Sequence, residues 1–476
     1  MKKKSTMGVL WSSGSLIFSQ VINILLFFYL ARILDVNTFG KLAIALFLLD
    51  IFFVFSTVGF NAYLLKTKEF TSAKANSSFT ASFILVCIFI ALIVASNYVF
   101  SHEYQGTQTH YLLALCPILI INSFSIVADS KIQREFNYHI IAKITVASSF
   151  ISGISAVMFA VYGFEEWSII FGRLIHSFLL STLLVINAQF LPRFRIDKYE
   201  LKEMYTFIKP LFLSQFLTFT TDRANQIMVA SFLGANFFAL LSLAKRPYME
   251  IQHLTLGQIN KVLVNTLSRS QDNHATVCYR LASLVAVFII PIFLGLSAIS
   301  DVFLVGILGS KWQESVLLMS LFGFEVLALV FAWFMNSFFI ANGQPQLIYK
   351  VVKVGFLIRV LASLIAVQYG ILYLVLTNIA VSFIMIPIHY FYFARVVNVS
   401  FFILFKSLYP AIVAGLIMFG VVSFYLSFFT QYLTNPYLLL ISAIMAGSVI
   451  YISTFYFMFP KSFKMTVNEI RTLTKG

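Results

Sequence analysis

Residues 219–244 read "FTTDRANQIMVASFLGANFFALLSLA", an apolar run interrupted by the charged pair Asp222 and Arg223. Its last fifteen residues, 230–244, align with "ARILDVNTFGKLAIA" at 31–45. Six positions are identical: Ala31/Ala230, Leu34/Leu233, Asn37/Asn236, Phe39/Phe238, Leu42/Leu241 and Ala45/Ala244. Upstream, Ser19-Gln20 answers Ser214-Gln215. Both stretches sit where one apolar run gives way to the next, as expected if a bundle of helices has been duplicated.

Composition sets the environment of those helices. Of 476 residues 60% are apolar and 11% are charged, and there are 54 Phe. A water-soluble domain of this size could not bury so much hydrocarbon, so a polytopic membrane protein is expected. A helix needs about 20 apolar residues to cross a bilayer core. Fourteen such spans can be drawn, at 8–31, 42–65, 79–100, 111–130, 140–162, 167–190, 207–233, 236–258, 280–307, 315–341, 347–368, 370–393, 408–429 and 436–459. The weakest is 236–258, which carries Lys245, Arg246, Glu250 and His253. The first span follows Met1-Lys2-Lys3-Lys4 but ends at Ala31-Arg32 with no small-x-small cleavage signal, so it is read as a retained helix.

Charge supports this count. With a cytoplasmic N-terminus, 25 of the 33 Lys and Arg fall at the termini and in the alternate loops on that side. Only Arg32, Lys41 and Lys311 fall on the other side, and Arg173, Arg223, Lys245, Arg246 and Arg359 lie within spans. A missed or invented span would scramble this alternation, so both termini are expected in the cytoplasm. The formal charge of +15 is thereby mostly topological, and nucleic acid is not an expected partner. The expected architecture is all-α: two pseudo-symmetric six-helix lobes, residues 1–200 (spans 1–6) and 201–400 (spans 7–12), followed by spans 13 and 14 with a cytoplasmic tail (401–476).

Enzyme chemistry finds little footing. The loops are short, there is no His-Glu-x-x-His, Gly-rich phosphate loop or Gly-x-Ser-x-Gly, and the seven His are scattered. His176 and His389 read as packing residues. Cys87, Cys116 and Cys278 are too far apart in the chain for a redox pair or a metal knuckle. Neither a catalytic residue, a metal nor a bound cofactor is expected, although a proton or sodium gradient is a candidate energy source.

Polar stripes recur at helical spacing in equivalent spans. Span 1 carries Ser12, Ser15, Ser19 and Asn23, and span 7 carries Gln215, Thr218, Asp222 and Asn225. Span 2 offers Asp50, Thr57 and Asn61, and span 8 offers Ser242, Lys245, Arg246, Glu250, His253 and Gly257. For Ser, Thr and Asn the plain reading is hydrogen bonding between helices. An ionised side chain at mid-bilayer costs from about 2.5 to more than 10 kcal/mol and is usually retained for a pathway or a pair. Helix neighbours point about 100° apart, so Asp222 and Arg223 each need another partner. Asp50 and Glu325 are candidates for the cations, and Arg173, Lys245, Arg246 and Arg359 for Asp222. Five in-span cations against Asp50, Asp222 and Glu325 predict a net positive cavity suited to an anion.

The ordered motifs Trp11, Leu30-Ala31-Arg32-Ile33-Leu34-Asp35, Phe39-Gly40, Thr57-Val58-Gly59-Phe60-Asn61-Ala62-Tyr63-Leu64-Leu65, Glu135-Phe136-Asn137-Tyr138, Gly163 with Trp167, Asp222 to Gly234, Gly309-Ser310-Lys311-Trp312 and Ala341-Asn342-Gly343 carry a family likeness. Over residues 8–345 the chain resembles the polysaccharide transporter branch of the multidrug/oligosaccharidyl-lipid/polysaccharide (MOP) exporter superfamily, the Wzx-type flippases. It departs at Phe238-Ala239-Leu240-Leu241, where many relatives have Gly-Tyr-Tyr or similar. The resemblance implies a bacterial inner-membrane carrier for undecaprenyl-diphosphate-linked oligosaccharides of O-antigen, capsule or exopolysaccharide, working with a polymerase and other glycan-assembly proteins. Under that reading Arg173, Arg223, Lys245, Arg246 and Arg359 hold the diphosphate or line the cavity. Asp222 and Asp50 orient them or respond to protons, and Asn23, Gln215 and Asn225 face the sugar. The alternatives are a drug/cation antiporter of the same superfamily, for which an acidic cavity is expected, and a membrane enzyme of glycan assembly. Reporter fusions after Arg195 and after Lys311 are expected to report opposite sides of the membrane; agreement between them would break this topology.

Overall fold

A computed structural model describes residues 2–57, 59–67, 69–99, 107–269, 274–341, 344, 346–397, 399–433 and 435–475. The side chains of Ser12, Ser15, Thr218, Asp222, His253, Gly257 and Cys278, named above, lie outside those described, as do Asn342 and Gly343. Sixteen α-helices follow one another: α1 (Lys2–Ile33), α2 (Val36–Thr57), α3 (Phe60–Lys66), α4 (Ser72–Val99), α5 (Thr107–Arg134), α6 (Tyr138–Val161), α7 (Trp167–Ala188), α8 (Lys198–Met228), α9 (Ala235–Arg269), α10 (His274–Ala298), α11 (Gln313–Ala341), α12 (Gln346–Ala366), α13 (Ile371–Ala394), α14 (Phe401–Phe429), α15 (Pro436–Met458) and α16 (Pro460–Lys475). Among the described residues, each apolar segment drawn from the sequence falls on one of these helices or its short continuation, except 42–65, which is divided between α2 and α3. Among the described residues, ten spans are long and apolar enough to cross a membrane, or eleven if Ala282–Ala298 and Val302–Leu308, bent by 53°, count as one. The protein is a multi-pass membrane protein.

The chain divides into two compact units, Met1–Phe219 and Thr220–Gly476, with the boundary inside α8. In the first, α5 packs against α2, α4 and α7, α6 packs on α7, and α1 packs on α6. In the second, α11 packs against α9, α10 and α13, and α12 packs on α13. Counting α2 and α3 as one span, four packed pairs of the first unit recur in the second six spans later. This is the duplication signalled by residues 31–45 and 230–244. Phe39, Leu42 and Ala45 are buried in their unit, and Phe238, Leu241 and Ala244 are buried in theirs. These identities are therefore packing positions. The last membrane helices are integral to the second unit, since α14 lies along α10 and α15 along α14.

Helix ends carry their own chemistry. Asp35 caps α2 by accepting the Thr38 N–H at 3.0 Å. Partial burial pushes its carboxyl up, and the Thr38 amide and hydroxyl together with the Asn37 amide outweigh this, leaving it below the usual carboxylate range. A π-helical turn, Val229–Leu233, ends at Gly234 with φ of 87°, a left-handed conformation that glycine adopts freely. Gly59 separates α2 from α3 with φ of 84°. A Cβ there would lie 2.9 Å from Ile208 Cγ1. The Gly59→Ala variant should lose about 1 kcal/mol or more, read as a lower unfolding temperature of the purified protein; an unchanged temperature would remove the constraint.

Candidate functional site

The second unit holds a buried polar row across four helices. Asn225 on α8 accepts a 3.5 Å hydrogen bond from Ser363 on α12, and Asn378 on α13 donates to the same hydroxyl at 3.5 Å. One turn further along α13, Ser382 donates to Glu325 on α11 at 2.8 Å and accepts from Arg359 Nη2 of α12 at 3.2 Å. The Ser382 hydroxyl thus couples a guanidinium to a carboxylate that is only 9% exposed. Glu325 was expected to partner a cation, and it does so through this one oxygen. Hydrogen bonds to charged groups inside a low-dielectric bundle are stronger than their neutral counterparts, which favours a fixed geometry.

Three further cations of this unit, Arg246, Arg223 and Lys245, also have contacts. Arg246 and Glu250 form an ion pair at 2.5 Å one turn apart on α9, with Glu250 just 3% exposed. Arg246 was expected to be a candidate partner for Asp222 or a cavity cation; this pair neutralises its charge locally. The expected count of three in-span anions also omitted Glu250, although it stands in span 8. Arg223 donates to Gln226 at 2.9 Å on its own helix. Lys245 sits 5.8 Å from the centre of the Phe322 ring. Nearby, the buried Tyr248 donates to the Met319 carbonyl at 2.9 Å. His389 Nδ1 lies 2.8 Å from the Met385 carbonyl on its own helix, which agrees with a packing role.

In the first unit, Asn23 on α1, Asp50 on α2 and Arg173 on α7 are half-buried. No hydrogen bond or ion pair joins them among the described residues. Gln215 is exposed on α8. The neighbouring stripe residues behave as glue: Ser149 on α6 donates to Ser19 at 2.8 Å, and Asn61 donates to Asp129 on α5 at 3.2 Å while accepting from Ser130 at 2.9 Å. Asp129 also accepts from Gln133 at 2.8 Å. It stands at the end of an apolar run, and its partner lies 68 residues away. The Asp-x-x-x-Gln spacing at 129–133 was the available signal for it.

Long helices in two units of like packing, with ionised side chains retained inside the spans, define a membrane transporter fold. The structure matches the inward closed conformation of the lipid II flippase MurJ with a TM-score of 0.75 at 16% identity, over 95% of this chain and 99% of that one. It matches an inward-facing multidrug resistance MATE family transporter of the MOP superfamily with a TM-score of 0.61 at 13% identity, over 79% and 95%. The chain belongs to the polysaccharide biosynthesis protein family, whose model matches residues 29–317. Its relatives include the succinoglycan biosynthesis transport protein ExoT of Rhizobium meliloti, 24% identical over 89% of this chain and 86% of that protein. Another is the teichuronic acid biosynthesis protein TuaB of Bacillus subtilis, 19% identical over 88% and 87%.

Removing one partner of a buried ion pair costs about 3 kcal/mol or more, whereas replacing both by apolar groups is often neutral. Glu250→Leu is therefore expected to lower the unfolding temperature of the purified protein, and Arg246→Met added to it should restore most of the loss. If the double variant is no more stable than Glu250→Leu alone, the pair is not a structural unit.

Proposed function

We propose that this protein is a flippase that moves an undecaprenyl-diphosphate-linked oligosaccharide repeat unit from the cytoplasmic to the periplasmic leaflet of the bacterial inner membrane by alternating access. The reading rests on one conjunction. Relatives matched along most of their length carry names from polysaccharide assembly, and this chain keeps Arg223, Lys245 and Arg359 within its spans. Arginine and lysine are the side chains that grip phosphate oxygens, and they are too costly in a bilayer to be incidental. The half-buried Arg173 is the corresponding candidate in the first unit. Asn23, Gln215 and Asn225 would meet sugar hydroxyls, while the lipid tail stays in the bilayer. The product serves O-antigen, capsule or exopolysaccharide synthesis and passes to a polymerase and other assembly proteins. Both termini lie in the cytoplasm.

Coupling to a proton or sodium gradient belongs to the same proposal. Glu325, held by Ser382 beside Arg359, is the group whose protonation would release the arginine for a phosphate; Asp50 and Asp222 are further candidates.

Two measurements test this. In a strain lacking the gene, the lipid-linked oligosaccharide is labelled and an impermeant glycosidase reports its leaflet; accumulation on the cytoplasmic side, relieved by the restored gene, is expected. Arrival at the periplasmic face at the normal rate would refute flipping of that substrate. Arg223→Ala and Arg359→Ala should each lower export by at least about tenfold with normal membrane insertion. Normal export from both would remove these arginines from the site.

A further inference from the structure

A second polar site lies in the first unit, where the fold brings together α3, the start of α4 and the start of α8. It is a cavity of about 840 Å³, within the range of about 300–1,000 Å³ that small-molecule sites occupy. Three lysines reach it from three different elements: Lys66 at the end of α3, Lys74 in the first turn of α4 and Lys202 on α8. The α8 wall is one helical face, since Tyr199, Lys202, Glu203 and Thr206 follow the i, i+3, i+4, i+7 spacing.

The walls are built by packing and hydrogen bonds. Tyr63, Leu64, Phe79 and Met204 form one buried cluster that fixes α3, α4 and α8 against each other. Arg134 from α5 donates to the carbonyls of Leu64 and Thr67, at 3.0 and 2.5 Å, and so pins the turn after Lys66. The segment before α8 is tied to α4: the backbone N–H groups of Arg193, Arg195 and Asp197 donate to Asn76 Oδ1, Thr80 Oγ1 and Ser77 Oγ at 2.8, 3.2 and 3.0 Å.

The charges within the cavity are not equivalent. Lys74 is committed to Glu200 and Glu203, at 3.8 and 3.6 Å, and Glu200 also accepts from Tyr63 at 3.2 Å. Lys66 rests on the face of Phe207, 4.8 Å from the ring centre, with its charge turned to an aromatic surface and not to a carboxylate. Lys202 makes no ion pair among the described residues. Both Lys66 and Lys202 are exposed. The outcome is a concave site with two available ammonium groups and the Tyr199 hydroxyl beside them, while the Thr67 and Thr206 hydroxyls donate to the carbonyls of Leu64 and Lys202. An anion with several oxygens meets that donor set.

Depth selects the kind of anion. Lys66 closes the membrane span Val36–Lys66, and Lys74 stands in the first turn of the span Ser72–Ala95. The cavity is thus at the level where hydrocarbon gives way to head groups, on the side of the basic loops, with exposed Tyr199 on its rim as an interfacial aromatic. We propose that this cavity binds the phosphate of a membrane lipid head group, with Lys66 and Lys202 as its cationic contacts.

The test is native mass spectrometry of the full-length protein in detergent with added dioleoylphosphatidylglycerol. One bound lipid is expected, with affinity falling roughly thirtyfold in the Lys66→Gln/Lys202→Gln variant, since each of the two interfacial lysines contributes on the order of a kilocalorie to anionic lipid binding. Because both lysines are exposed, the unfolding temperature in detergent alone should not change. Lys198→Gln/Lys209→Gln, which removes the same charge from α8 outside the cavity, should leave the affinity as it was. Displacement of the lipid by farnesyl diphosphate would extend the site to polyprenyl carriers, and displacement by inorganic pyrophosphate would show that phosphate alone suffices; resistance to both would confine it to phospholipid. Equal affinity of the Lys66/Lys202 variant and the parent, or an equal loss in the Lys198/Lys209 variant, would overturn the proposal. Binding is read without transport, so failure of the flippase reading leaves this result interpretable.

Discussion

A backbone amide placed in hydrocarbon has no water to turn to, and every other feature of this fold answers to that constraint. Helices satisfy it within each segment. Side-chain hydroxyls do so too: Thr145, Ser155 and Ser448 each return their proton to the carbonyl four residues earlier. Many small polar residues that read as wet stripes are in this sense self-contained, and they let helices approach closely without leaving an unsatisfied group. The exceptions are the ones that reach across to another helix, and they mark where helices within one unit are cross-linked.

The same economy governs the charges. Several ionised groups in the spans of the second unit are given something to hold: Glu250 for Arg246, a shared serine for Arg359 and Glu325, an amide for Arg223. The three solutions differ in how readily they can be undone. The Arg246 pair is direct and intrahelical, which suits a structural part. Arg359 and Glu325 come from different helices and meet through Ser382, a less direct link. This difference separates the two arginines: Arg246 is locked to a carboxylate of its own helix, whereas Arg359 is held across helices through Ser382.

Much of the architecture was legible in the chain itself. Hydropathy located the helices, and the six identities between 31–45 and 230–244 marked a duplication whose packed pairs recur in both units. What was not legible depended on partners far apart in sequence. The run 42–65 conceals a break at Gly59, because apolar composition is indifferent to a change in φ. Asp129 lay at the edge of a span and escaped the tally of anions. Ser363, Asn378 and Ser382 look like ordinary span residues until α12 and α13 are set side by side. The lipid-phosphate cavity joins residues from positions 63 to 207, and no periodicity in one segment could have assembled it.

The segment tied to α4 carries a consequence for how membrane boundaries are drawn. The helix starts at Ser72, whereas the apolar run begins only at Phe79. The intervening turns contribute Asn76 and Ser77, and Thr80 follows at the edge of the apolar run; all three are buried acceptors for backbone donors of another segment. These side chains do the work that a neighbouring strand does in a sheet, offering acceptors along a rail. Polarity here records an internal docking surface, and a hydropathy profile alone would draw it as a loop in water.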